Sequence, residues 1–96
     1  MNNQVFKWTK IDMQDLSTLP DVFDTKKEDW TKPDTCIFEM GREVLVTDKR
    51  GAVFAAYPTI DIQDGVLQEF RWSHGIVLLM DDDVIAWSHF PEPYQP

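Results

Sequence analysis

The stretch EVLVTDKRGAVFAAY, residues 43–57, carries both arms of one hairpin. Val44-Leu45-Val46-Thr47 has the β-branched composition of a strand. Asp48-Lys49-Arg50-Gly51 has turn chemistry, with a glycine free to take positive φ, and Ala52-Val53-Phe54-Ala55-Ala56-Tyr57 returns. A second turn signal, Asp64-Gly65, lies between Thr59-Ile60-Asp61-Ile62 and Val66-Leu67-Gln68-Glu69-Phe70-Arg71-Trp72. Beyond it, residues 76–80 and 84–90 flank Asp81-Asp82-Asp83, and this spacing predicts a final hairpin with Trp87 turned inward and Pro91-Glu92-Pro93 as its stop.

Towards the N-terminus the pattern is weaker. Val5-Phe6-Lys7-Trp8 alternates and predicts a short first strand. Proline is tolerated in the first turn of a helix, so Pro20 permits a short helix over residues 20–30, with Lys32-Pro33-Asp34 as a loop after it. The expected fold is α+β and β-rich: a small antiparallel meander of about five strands with one short helix on one face. At 96 residues the chain is expected to be one domain, 1–96.

Composition narrows the classes of partner. With 43% hydrophobic and 12% aromatic residues the chain has the means to build a core. A net charge of -8 argues against direct binding to nucleic acid or an anionic membrane, because phosphate is bound chiefly by Lys and Arg. It favours a basic partner. The single cysteine, Cys36, excludes an internal disulfide. Residues 1–4 lack the basic and apolar regions of a signal peptide, and residues 76–80 are too short an apolar run to span a bilayer. These features predict a soluble intracellular protein.

Each chemical constellation has a plainer explanation beside it. In an extended strand Asp81, Asp82 and Asp83 point to alternating faces, and only a turn brings Asp81 and Asp83 together as oxygen ligands. Aspartate also favours turns by bonding its own backbone, which suffices to place three at a loop tip. His74, His89 and Cys36 match no zinc-ligand spacing. Ser73-His74 and Ser88-His89 are sequence neighbours, so a strand sends serine and histidine to opposite faces; Trp-Ser-His at 72–74 and 87–89 is too short an echo to be a repeat. No catalytic residue, cofactor or metal ligand is assigned. Trp8, Trp30, Trp72 and Trp87 suit an interface or a core, with Trp30 expected to be only partly buried. Asp21, Asp24, Glu28, Asp29, Trp30, Asp81, Asp82 and Asp83 are the candidate partner-binding residues.

The C-terminal stretch also resembles an uncharacterised family of small tailed-phage and prophage proteins, whose chains end approximately I-T-H-W-M-P-L-P-E-P-P. Trp87 falls on the family's tryptophan, Phe90 on its leucine, and Pro91-Glu92-Pro93 on its P-E-P. Trp8, Leu19-Pro20, and Val44-Leu45-Val46 before Gly51-Ala52-Val53 are similar to looser landmarks of the family. Ala86 occupies the family's histidine position and His89 that of a proline, so no histidine role carries over. The resemblance implies a phage-encoded accessory protein in the host cytoplasm. Its expected function is to bind and inhibit or modulate a host protein through an acidic surface, the specific form being an anti-CRISPR-like inhibitor of a defence enzyme with a basic groove. The alternatives are a small metal-dependent or Cys/His enzyme built on Asp81, Asp83, His74 or Cys36, and a phage structural or assembly component.

Overall fold

A computed structural model describes residues 7–74, 77–79 and 83–90. Seven strands are present among them: β1 (Thr9–Lys10), β2 (Ile37–Met40), β3 (Val44–Asp48), β4 (Val53–Gln63), β5 (Val66–His74), β6 (Val77–Leu79) and β7 (Val84–Ser88). All pair antiparallel, in the order β1-β7-β3-β4-β5-β6, with β2 also paired to β4. The molecule is thus a β-rich sheet with one short helix, α1 (Lys27–Trp30), and a 3₁₀ turn (Leu16–Thr18).

Both turns form where the sequence places them. Asp48 Oδ1 accepts the N–H groups of Arg50 and Ala52, which fixes the β3–β4 loop. Gln63 pairs with Val66 across Asp64 and Gly65, both at positive φ, the requirement of a two-residue hairpin turn whose twist matches its strands. β4 runs straight through Pro58, where the sequence suggested two separate segments. Pro58 accepts from Gly41 N–H, so its missing donor faces the same edge, and the ladder to β5 on the other edge passes Pro58 without a break, shifting register only between Asp61 and Ile62.

That edge of β4 carries β2 and β3 end to end: Pro58 and Ala52, both even positions, accept from Gly41 N–H and Asp48 N–H, while β5 holds the opposite edge from Tyr57 to Gln63. Gly41 lies opposite Pro58 and Val44 opposite Ala56, leaving Arg42 and Glu43 to face Tyr57 alone. This is a β-bulge, and it moves the inward side chains from odd positions (Ile37, Glu39, Gly41) to even ones (Val44, Val46). The inner face joins Val44, Val46, Ala56, Ile60, Ile62, Phe70, Trp72 and Trp87 into one core. Leu19, Val22, Phe23 and Trp30 cover it. Gly41 allows that cover to approach closely: a Cβ there would sit 2.9 Å from Val22 Cγ2.

Four expectations are corrected. The helix is confined to Lys27–Trp30, because Glu39 captures the preceding backbone. The Glu39 carboxylate accepts from the N–H groups of Asp24 and Thr25 and, at 2.8 Å, from the Thr25 hydroxyl. The first strand is Thr9–Lys10 instead of residues 5–8; Val5 and Phe6 lie outside the described residues. β6 pairs with β5 and β7 with β3 and β1, so the strands flanking the aspartates are not a hairpin. This return protects the second edge of β3 and seats Trp87, whose Nε1–H donates to Thr18 O at 2.7 Å. Trp30 is only 1% exposed, fully buried where partial burial was expected, while Trp87 is buried as expected.

Lys27 fastens the cover from below. Its ammonium donates to the carbonyls of Ser17 and Leu19, and burial holds its pKa below 10.5. In a window just under 10.5 the unfolded chain therefore binds more protons than the folded one, and stability rises with pH there. Denaturant titrations of wild type and Lys27→Met across that window are expected to differ in slope, the rise being absent in the variant. Asp15 acts in the opposite range. Hydrogen bonds from the Ser17 side chain and N–H lower its pKa below 3.8, so its contribution is complete above 3.8 and fades as pH falls through the lowered value.

Candidate protein-binding surface

The face of the sheet turned away from the core is built by strand alternation. In β4 the even residues from Phe54 to Ile62 point inward, which leaves Tyr57, Thr59 and Asp61 outside. Register places Arg71 opposite Thr59 and Glu69 opposite Asp61 on β5, and Met40 and Phe38 opposite the same two residues on β2. Phe38, Met40, Thr59, Asp61, Glu69, Arg71 and Ser73 line a shallow groove of about 240 Å³. Phe38 is 80% exposed and Met40 60%; Tyr57 adds a third partly open apolar side chain.

The polar groups of this face are partly engaged with one another. Arg71 pairs with Glu69, and Gln63 Nε2–H donates to Asp61 at 3.0 Å. The β2 backbone is available as well. Gly41 N–H bonds Pro58, so by antiparallel alternation Glu39 and Ile37 also turn their backbone groups to β4. Phe38 and Met40 turn theirs away from it. Among the described residues no strand pairs with β2 on that outer edge.

The sequence-derived candidates lie elsewhere. Asp21, Asp24, Glu28 and Asp29 all belong to the segment that covers the inner face and to α1. Their charge is interleaved with Lys26, Lys27 and Lys32, and Asp29 pairs with Lys32. Asp21 lies 3.5 Å from His89 Nε2, and His89 stands edge-on to Trp87. Trp30 presents no ring surface to a partner: its indole packs against Phe23 at 5.5 Å and donates to Thr25 O. Asp83 is exposed in the turn before β7, and its carbonyl accepts from Lys49 N–H; Asp81 and Asp82 lie outside the described residues.

For the enzyme alternative, His74 and Asp83 do share a shallow cleft with Asp48 and Arg50. His74 Nδ1–H donates to Ala55 O at 2.6 Å. Exposed Cys36 precedes β2 beside Ile62, while His74 ends β5 at its far end, roughly 20 Å away by strand rise. Among the described residues no three His, Cys, Asp or Glu side chains converge to hold a metal ion. No helix among them is long and apolar enough to cross a membrane. Phe38 and Met40 escaped the sequence reading because Ile37-Phe38-Glu39-Met40 assigns either parity inward; the bulge at Arg42 and Glu43 decides between them. Comparison with family models, curated proteins and solved structures finds no match to this chain.

Proposed function

We propose that this chain is a protein-binding module that inhibits or modulates its partner by contact, using the outer face of β2, β4 and β5. The observation that carries the reading is Phe38 and Met40, two large apolar side chains held in the open along a groove rimmed by Asp61 and the Glu69–Arg71 ion pair. Isolated exposed apolar residues are ordinary, but a clustered set on a rigid sheet has the make-up of an interface centre. The net charge of -8 adds steering towards a cationic partner. The likeness of the C-terminal stretch to small tailed-phage proteins supports a host protein as that partner. An anti-CRISPR-like inhibitor in the host cytoplasm, set against a defence enzyme's basic groove, is the specific form of the proposal.

Binding and folding separate at these positions. Phe38→Ala and Met40→Ala are expected to leave stability within about 0.5 kcal/mol, because both side chains are largely solvated. The same variants are expected to lose about 1–4 kcal/mol in partner affinity. Host extract passed over immobilised wild type and each variant, with quantitative mass spectrometry of what is retained, checks this. A protein held by wild type and depleted on both variants is the expected result; identical profiles would remove the outer face as the binding surface.

A further inference from the structure

The outer edge of β2 offers more than side chains. We propose that it takes an extended, cationic segment of the partner as an added strand, an inference that rests on the protein-binding reading above. Phe38 and Met40 turn their N–H and C=O groups outward, and among the described residues no strand lies along that edge. An incoming strand that bonds these two residues extends the β4–β2 ladder without breaking any existing hydrogen bond. The partner residues in register with Phe38 and Met40 then share the outer face with them. That geometry couples main-chain pairing to apolar contact.

Charge selects the occupant. Asp61 lies on the outer side of the edge, and Asp24 lies on the inner side, where its N–H is bound to the Glu39 carboxylate. Arg42 and Glu43, at the bulge that ends the edge, offset each other. A second copy of this chain would bring its own charge of -8 to the seam. A two-fold pairing that sets Phe38 opposite Met40 of the other copy also sets Glu39 opposite its counterpart, and like charges directly opposite are destabilising. A lysine- or arginine-bearing strand meets the reverse condition: carboxylates on both flanks and an apolar centre.

The test uses the full chain, ¹⁵N-labelled, and a synthetic heptapeptide of alternating lysine and valine as probe. Amide hydrogen exchange at Phe38 and Met40 is expected to slow by about tenfold or more on saturation, with the β4–β5 amides unchanged. An otherwise identical peptide with glutamate for lysine is expected to give no protection. Phe38→Ala keeps the backbone donor and should weaken binding several-fold. Phe38→Pro removes a donor that β4 does not use, and should abolish protection at Met40 while the β4–β5 amides report an intact sheet.

Peptide binding with shifts confined to carboxylate-bearing surfaces, and no protection on β2, would overturn strand addition and leave the protein-binding reading standing. Protection of the β2 amides that grows with protein concentration in the absence of peptide would assign the edge to a second copy and overturn it as well. No binding of the lysine peptide at low salt would also overturn it. In that case depletion of a host protein on Phe38→Ala still decides the broader reading independently.

Discussion

Trp30→Ala is expected to destabilise the fold by about 3–5 kcal/mol, a large part of the roughly 5–15 kcal/mol that holds a domain of this size together. Three losses combine. The side chain is 1% exposed, so its removal leaves a void between the cover and the sheet instead of a solvated gap. The edge-to-face contact with Phe23, at 5.5 Å and 75°, disappears. Thr25 O loses the indole donor at 3.2 Å in a partly buried setting. Thermal unfolding should show the midpoint falling by about 4–8 °C for each kcal/mol. Trp30→Phe keeps most of the volume and should recover the larger share. A Trp30 that served as an exposed partner anchor would behave in the opposite way, with a near-unchanged midpoint in both variants and a loss confined to binding.

The two hairpin turns were legible because their chemistry is local. Asp48 bonds the backbone two and four residues on, and Asp64-Gly65 supplies consecutive positive φ values; neither depends on distant chain. The covering segment was not legible, for the contrary reason. Pro20 and the polar run after it permit a helix, yet a carboxylate from β2, Glu39, takes the Asp24 and Thr25 donors where the chain bends at residues 23–25, and the helix begins only at Lys27. The pairing of β7 with β3 is likewise a contact between segments some forty residues apart, and no local pattern distinguishes it from a hairpin with β6. The candidate site was hidden by a single extra residue. Odd positions point inward before Arg42 and even positions after Glu43, so Phe38 and Met40 read as core or surface according to where one places the bulge. Acidic residues attracted attention in the sequence because charge is visible there, whereas exposure of an apolar side chain is a property of the register.

Gly65→Ala is expected to be the most damaging small substitution in the sheet, at about 2–4 kcal/mol, and Gly51→Ala separates its causes. Both glycines adopt positive φ, +75° and +86°, where an L-residue costs about 1–2 kcal/mol. At Gly51 a new Cβ meets nothing within 4 Å, so the conformational cost stands alone. At Gly65 the new Cβ falls 2.5 Å from Lys32 O and 3.0 Å from Thr31 O. These are backbone atoms, and a rotamer change cannot relieve the overlap; the loop of residues 31–35 has to move. That movement also strains the bond from Gly65 N–H to Thr35 O, which ties the hairpin tip to the approach to β2. Denaturant unfolding should place Gly65→Ala below Gly51→Ala by more than 1 kcal/mol, as a rough margin for overpacking against a fixed neighbour. Equal losses would mean that the loop yields freely. In the expected case the damage reaches the candidate surface, because Thr35 stands two residues before Ile37 and the loop that shifts is the one that delivers Phe38 and Met40 to the outer face.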